Sequence, residues 1–328
     1  MNTTLASPLL RYAVFFAAVA ALPLAGAYPI FVMKVLCYAL FACAFNLLIG
    51  FTGLLSFGHA AFLGTAAYAA GHALKVWGFP PLAGVVFGAL MAGAVGLAFG
   101  WLAIRRSGIY FSMITLALAQ MLYFFFLQAK FTGGEDGLQG VPRGSLLGLD
   151  LGSDLVLYYV VLAIFIGAFW LIYRIVHSPF GQVLTAIREN ESRAISLGYD
   201  TDRFKLVAFV LSAALAGLAG ATKTLVLGFA TLTDAIWTTS GLVILMTLVG
   251  GMGTMFGPIV GALIVITLEN KIGDLGKALA SATGINWFNG LGESVTLVTG
   301  LIFIVCVLAF RRGVVGEFLH YWSKRRGG

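Results

Sequence analysis

HSPFGQVLTAIRENESRAISLGYDTDRFK, residues 177–205, is a charged island in an otherwise apolar chain. It follows Leu155–Tyr173, a run without any Asp, Glu, Lys or Arg, and it precedes Leu206–Leu227, in which Lys223 is the only such residue. Apolar runs of this length predict membrane-spanning helices. A membrane protein that keeps so polar a segment between two spans usually presents it to a soluble partner, so the island is the first candidate functional element.

The composition places the whole chain in a membrane. Of its 328 residues, 60% are hydrophobic and only 10% are charged, which leaves too little polar surface for a soluble domain of this size. The net charge of +7 does not indicate nucleic acid, because the basic residues lie at the ends of apolar runs. The cysteines, Cys37, Cys43 and Cys306, lie inside apolar runs, so neither a disulfide framework nor a bound metal is expected.

The apolar runs predict a single transmembrane domain over residues 1–328. Runs that can each cross a bilayer, which needs about 20 residues, are Tyr12–Met33, Pro81–Ile104, Gly108–Ala129, Leu155–Tyr173, Leu206–Leu227 and Ser294–Phe310. Val35–Leu74 is too long for one span, and Phe51-Thr52-Gly53 is its natural break. As one helix, Ala235–Leu268 would be about 50 Å long, which exceeds the ~30 Å hydrocarbon core. We expect a second break at Gly250-Gly251-Met252-Gly253.

These runs predict an all-α polytopic membrane protein with eight to ten transmembrane helices and broken or re-entrant segments. The count is ten if both halves of 235–268 cross and eight if that region is re-entrant, which depends on Thr239–Val249. Lys and Arg favour the cytoplasmic side of bacterial inner-membrane proteins. Arg11, Arg105, the island and the tail from Arg311 are therefore predicted to be cytoplasmic, with both termini inside.

The first span has a competing interpretation. Arg11, the apolar stretch and Ala25-Gly26-Ala27 together resemble a signal peptide cleaved after Ala27. The apolar run continues to Met33 and further spans follow at once, which favours an uncleaved first helix.

The predicted extracytoplasmic loop, residues 130–154, is long and rich in turn residues. Its acids include Glu135 and Asp136, which we regard as candidates for docking a soluble binding protein. A solvated connector explains the same composition equally well, and the residues alone do not separate the two interpretations.

Small and polar residues inside the apolar runs are candidates for the translocation pathway. Glycine recurs every fourth residue at Gly253, Gly257 and Gly261, a spacing that lets helices pack closely, and segments broken by Gly or Pro can also line a pathway. The polar pathway candidates are Asn46, Ser56, His59, Thr115 and Gln120. Each can instead be an interhelical hydrogen-bond partner, because an unpaired polar group in hydrocarbon is costly.

Five blocks of sequence resemble a known family in their order along the chain. They are GFTGLLSFGHAAFLGTAAYAAG (50–71), RSGIYFSMITLALAQML (106–122), FTGGEDGLQGVP (131–142), SPFGQVLTAIRENESRAISLGYDTDRFKLVAFVLSAALAGLAGA (178–221) and GGMGTMFGPIVGALIVITLE (250–269). The chain resembles the permeases of branched-chain amino acid ABC importers, and among them the subunit with the longer loops. Departures are a shorter charged tail, Thr-Ala-Ala at 65–67 and Thr-Lys-Thr at 222–224.

The resemblance implies a set of partners. These are a second permease subunit in a heterodimer, two ATP-binding cassette subunits and a soluble substrate-binding protein. The chain contains no phosphate-binding GxxxxGK[ST] loop, so ATP is expected to bind to partner subunits, and no cofactor is expected on this chain. The family's substrates are branched-chain amino acids, other amino acids, urea or amides, and aromatic or dicarboxylic acids.

The resemblance also implies that the island contains a cytoplasmic coupling helix. Ser178 and Pro179 can start a helix, Gln182–Leu197 is predicted to be helical throughout, and Gly198 suits its C-terminal cap. The predicted contacts with the ATPase are Gln182, Ala186, Arg188, Glu189, Glu191, Arg193 and Gly198. The alternative is an amphipathic helix lying on lipid, for which mixed acids and bases are a poor match to an anionic leaflet.

Two other functional classes compete with a permease. An ion-coupled secondary transporter needs intramembrane acids or bases, and the predicted spans contain almost none apart from Lys223 and the histidines. An intramembrane hydrolase needs paired catalytic groups, and Ser56 with His59 lacks a visible third residue to orient the histidine. We therefore expect no catalytic residues.

Overall fold

The computed structural model describes residues 8–146, 148–283, 300–301, 304 and 313–317, with the backbone alone for 8–11 and 272–283. Most of this part of the chain is helical. The helices are α1 (Pro8–Ala21), α2 (Pro29–Thr52), α3 (His59–Lys75), α4 (Pro81–Ala103), α5 (Ile109–Gln128), α6 (Asp154–Val176), α7 (Pro179–Glu189), α8 (Glu191–Ser196), α9 (Thr201–Leu227), α10 (Trp237–Gly250) and α11 (Gly257–Thr283). The strands are β1 (Leu138–Gln139), β2 (Ser145–Leu146), β3 (Leu149–Asp150) and β4 (Phe229–Ala230), and β1 pairs antiparallel with β4, as β2 does with β3.

Five helices of the described residues, α2, α4, α5, α6 and α9, are long and apolar enough to cross a membrane. The chain is therefore an all-α polytopic membrane protein, as its apolar runs predict. The most apolar window of α2 is 78% buried and that of α9 is 61% buried, against 28% for α5. Helices α2 and α9 therefore form the centre of the bundle, and α5 lies at its periphery.

Both predicted helix breaks are confirmed. Gly53 ends α2 in the left-handed conformation with φ of 78°, and a residue with a Cβ atom rarely adopts that conformation. Gly251 and Gly253, with φ of 119° and 72°, separate α10 from α11. In both places a glycine with positive φ ends a helix, although the apolar sequence continues beyond it.

Helices α3 and α10 begin inside the bundle. We call the side that carries residues 177–205 the island face and the side that carries 130–154 the loop face. The hydroxyl of Ser212 donates to the Ala44 carbonyl and lies 2.8 Å from His59 Nε2. Ala44 precedes the end of α2 by eight residues, so α3 starts about 12 Å from the island face. The Ala60 amide donates to the Ser240 hydroxyl at 2.9 Å, so the first turn of α10 lies beside the start of α3.

The course of the segment from Gly228 to Gly253 shows whether Thr239–Val249 crosses the bundle or is re-entrant. The Val141 amide on the loop face donates to the Gly228 carbonyl, whereas the Gly253 amide donates to Asn46 near the island face. With only 14 residues, α10 is about 21 Å long, and the irregular residues before it complete the passage. The segment crosses the bundle as a partly unwound pass.

Three predictions about the elements need correction or fall outside the structure. The single span Tyr12–Met33 is wrong, because Pro23, Gly26 (φ 85°) and Pro29 interrupt it and Pro29–Met33 begins α2. A single helix over Gln182–Leu197 is also wrong, because Asn190 is extended and separates α7 from α8. The predicted span Ser294–Phe310 lies outside the described residues apart from residues 300, 301 and 304, so the total of eight to ten remains a prediction.

The orientation can be tested with single cysteines in a cysteine-free background. Glu135→Cys and Ser192→Cys are exposed positions on the loop face and the island face. An impermeant thiol reagent added outside intact spheroplasts should label the first and not the second, because Lys and Arg favour the cytoplasmic side. Equal labelling of both positions from outside would overturn the assignment.

Candidate coupling surface and translocation pathway

Local sequence fixes the start of the island's first helix. Ser178 is the N-cap of α7 and accepts a hydrogen bond from the Gly181 amide, and Pro179 occupies the first turn. A Cβ atom on Gly181 would lie 2.2 Å from the Val176 carbonyl oxygen. Leu184 and Ile187 are buried against the bundle. This arrangement holds α7 tightly against the end of α6.

Arg188 is exposed, and its guanidinium reaches from α7 to the bundle. Its guanidinium donates a hydrogen bond to the Gly50 carbonyl in the last turn of α2. Its Cγ lies 2.8 Å from where a Cβ atom on Gly53 would be, and its Nη1 lies 3.4 Å from the same position on Gly253. Arg188 therefore joins α7 to the end of α2 and to the break after α10. Its predicted contact with an ATPase subunit stays a prediction.

Glu191 is also used within the chain. Its carboxylate forms an ion pair with Lys205 in the first turns of α9 and accepts a hydrogen bond from the Thr201 hydroxyl at 3.3 Å. The Lys205 side chain is only 5% exposed. A cavity of about 210 Å³ beside this pair is lined by Gly53, Gly108 and Arg188, among other residues. The pair fixes α8 to the start of α9.

The other predicted coupling residues form an exposed surface. Gln182, Ala186, Glu189, Arg193 and Gly198 are all exposed. Gly198, with φ of 89°, ends the α8 segment, and its amide donates to the Ile195 carbonyl while the next amide donates to Ala194. Three large apolar side chains of the same segment, Ile195, Leu197 and Tyr199, are also exposed, at 55%, 69% and 42%. We call these eight residues the coupling surface.

Three pathway candidates come together where α3 begins. Ser56 accepts a hydrogen bond from the Gly58 amide, and Thr115 on α5 accepts one from the Phe57 amide. His59 is fully buried among Phe41, Phe45, Phe62 and Phe209, and its Nδ1 has no hydrogen-bond partner among the described residues. In this conformation all three side chains hold the start of α3 in place.

The other two pathway candidates lie elsewhere. Asn46 Nδ2 donates to the Thr254 carbonyl, and its Oδ1 accepts from the Gly253 amide, both at 2.9 Å. Asn46 therefore ties α2 to the break between α10 and α11, close to Arg188. Gln120 is half-buried on α5, away from these contacts.

A buried ion pair lies in the bundle at residues that were not among the predicted site residues. Lys223 in α9 pairs with Asp234, which ends a short 3₁₀ turn before α10, and the two residues are 7% and 2% exposed. Lys223 Nζ also lies 5.5 Å from the centroid of the Tyr38 ring in α2. A single lysine in an apolar span needs a counter-charge, and Asp234 is the next acid along the chain.

The loop on the opposite face is anchored to the bundle. Its strand β1 pairs with β4, and Arg143 forms an ion pair with Asp154 at 2.7 Å and donates to the Val226 carbonyl. Glu135 and Asp136 form the exposed turn immediately before β1. The two predicted docking residues are therefore fixed in position with their side chains in solvent.

Comparison with known proteins supplies a family. The family model described as "Branched-chain amino acid transport system / permease component" matches residues 29–310. The high-affinity branched-chain amino acid transport system permease protein LivM of Escherichia coli (strain K12) is 29% identical over 296 residues, covering 79% of this chain and 68% of that protein. LivM of Salmonella typhimurium is 28% identical over 269 residues, covering 73% and 62%. The chain thus spans about two thirds of the length of these relatives.

One solved structure is also similar. PsaBC from Streptococcus pneumoniae in complex with Fab aligns with 90% of this chain and 95% of its own, with 15% identity and a TM-score of 0.41. A likeness this distant does not bear on the site.

Proposed function

This chain belongs to the family of permease components of branched-chain amino acid transport systems, and we propose that it is one of two membrane subunits of an ABC importer. In this proposal a soluble binding protein delivers branched-chain or related amino acids to the loop face. Two partner subunits hydrolyse ATP against the island face. The protein is a multi-pass membrane protein, and its proposed location is the bacterial inner membrane.

Arg188 is the observation that carries this proposal. It lies on the same helix as the exposed Gln182, Ala186 and Glu189, and its guanidinium contacts the end of α2. A rigid displacement of α7 by an ATPase would therefore pull directly on Gly50. Because Asn46 ties this part of α2 to Gly253, the same displacement would reach the break between α10 and α11.

The proposed function is tested by reconstituting the chain with its partners in liposomes. ATP inside and loaded binding protein outside should drive uptake of labelled leucine, and vanadate should stop it. Excess unlabelled valine or isoleucine should compete, whereas urea, aromatic acids and dicarboxylic acids should not. Uptake that survives vanadate but collapses with a proton ionophore would instead establish an ion-coupled transporter.

The docking role of the loop predicts a rate effect. Glu135→Lys with Asp136→Lys should slow leucine uptake about tenfold at low salt and limiting binding protein, because rim charges act mainly on association rate. The defect should disappear at saturating binding protein, with basal ATP hydrolysis unchanged. Asp150→Lys, at an exposed acid of the same loop, is the matched control. Uptake unchanged in the double variant at every binding-protein concentration would make the loop a connector.

A further inference from the structure

The Lys223–Asp234 pair lies inside the membrane-spanning bundle, beneath the loop face. Tyr38, whose ring faces Lys223, is nine residues from the start of α2 and fourteen from its end. These separations correspond to about 14 Å and about 21 Å along the helix. Ionisable residues at such depth are rare and usually functional, since each charge must be paired or face water.

The pair is held rigidly. Asp234 lies in the cap of its own turn, where its second carboxylate oxygen is 3.5 Å from the Thr231 amide and its own amide donates to the Thr231 carbonyl. Lys223 lies in the last turns of α9, a central helix. Lys223 thus lies on a continuous helix, and Asp234 lies in the irregular segment that leads into the short helix α10. Unwound segments next to such half-length helices are where membrane transporters bind polar substrates.

A second, independent feature indicates a polar ligand at this place. The Tyr68 side chain is 1% exposed, and its hydroxyl has no hydrogen-bond partner among the described residues. It lies within electrostatic range of the Asp234 carboxylate. A buried hydroxyl without a partner is costly. Tyr68 therefore has an unsatisfied hydroxyl, able to donate or accept, on which the Asp234 carboxylate acts electrostatically.

A two-stranded cover separates the pair from the loop face. Strands β1 and β4 pair above it, with Leu138 opposite Ala230, and both of these residues are buried. The turn with Glu135 and Asp136 continues directly into β1. A binding protein docked on that turn would press on the cover over the pair.

From this arrangement we propose that Lys223 and Asp234 form a transient binding site for the zwitterionic head group of an α-amino acid. The substrate carboxylate pairs with Lys223, and the substrate ammonium pairs with Asp234 and donates a hydrogen bond to the Tyr68 hydroxyl oxygen. The proposal rests on the proposed function and adds the residues that bind the head group of the substrate. Two ion pairs replace one, so no charge is buried alone when the substrate enters or leaves.

This exchange selects for zwitterions. A dicarboxylate would pair with Lys223 but would place a second negative charge near Asp234, and urea would offer neither charge. Leaving one member of a buried pair without its partner is strongly unfavourable. Amino acids therefore pass a site that rejects neutral amides and anionic acids.

The test uses the complete complex, with both permease subunits, the ATPases and the binding protein. Lys223→Met with Asp234→Asn removes both charges while conserving volume and the acceptor toward Thr231. Leucine uptake at saturating binding protein should fall about tenfold or more, with the complex assembled and stimulated ATP hydrolysis retained. Thr224→Val, at the neighbouring buried residue on α9, is the matched control and should transport normally. Normal uptake by the neutral double variant would make the pair purely structural.

A measurement on the unmodified complex covers the case in which the double variant does not assemble. Reductive methylation during ATP turnover, read by mass spectrometry, should modify Lys223, and leucine should protect it while urea does not. The exposed Lys75 should be modified equally in every sample. The proposed site would be wrong if leucine did not protect Lys223 from methylation. It would also be wrong if Lys223 stayed unmodified throughout turnover. Failure of the unmodified complex to transport leucine would instead overturn the proposed function.

Discussion

Arg188→Ala is expected to uncouple ATP hydrolysis from transport. The substitution removes the guanidinium that joins α7 to the Gly50 carbonyl and leaves that carbonyl without its donor. A hydrogen bond from a charged group contributes about 2 kcal/mol, which is about thirtyfold in an equilibrium constant. We therefore expect leucine uptake to fall about thirtyfold or more. Basal ATP hydrolysis should persist, because the variant leaves all eight residues of the coupling surface in place. Loaded binding protein should no longer stimulate it.

Two further variants separate coupling from charge and from folding. Arg203→Ala removes an arginine near the same face whose side chain is 85% exposed and pairs only with the neighbouring Asp200 among the described contacts. It should transport normally. Arg188→Lys keeps the charge with a shorter side chain and should recover part of the stimulation. Normal stimulation in Arg188→Ala would remove this contact from the transmission of movement.

The sequence predicted the parts of this fold that depend on length and on glycine. Val35–Leu74 and Ala235–Leu268 are each too long for one bilayer pass, and each contains glycines where the chain can turn, so Gly53 and Gly251 mark true breaks. The turn after α1 was missed because Leu22–Tyr28 is apolar throughout. A hydropathy run does not respond to Pro23 or Gly26, although both are turn signals. Asn190 was missed for a related reason, since it is a good N-cap inside a helix-like pattern.

Side-chain direction was the larger limit on predicting the site. The pattern of residues 177–205 identifies a polar helical segment, but periodicity does not tell which of its charges form contacts with other helices. Arg188 and Glu191 face partners that lie far along the chain or on another helix, namely Gly50 and Lys205. Lys223 carried a usable signal, because a lone lysine in an apolar span requires an acid. Asp234 can be recognised as that acid only if the segment after α9 is assumed to return into the bundle.

Gly261→Ala is expected to prevent formation of a stable protein. A Cβ atom on Gly261 would lie 1.8 Å from the Met246 carbonyl oxygen and 2.9 Å from the Gly250 amide nitrogen. Both atoms belong to the backbone of α10, so no side chain can move aside, and the two helices must separate. Overpacking costs about 1–3 kcal/mol where side chains can adjust. Here we expect at least the upper end of that range, and a yield of monodisperse protein in detergent below about a tenth of normal.

The control for this prediction lies on α10 itself. A Cβ atom on Gly241 would meet nothing within 4 Å, so Gly241→Ala adds helix propensity worth about 0.5–1 kcal/mol and should match or exceed the normal thermal stability. The two variants make the same chemical change on packed, neighbouring helices and differ only in the space available. Helices in lipid associate through close packing, since lipid gives no hydrophobic drive. A normal yield from Gly261→Ala would mean that α10 and α11 do not pack this closely, and Asn46 would then lose the fixed break between them that it bonds.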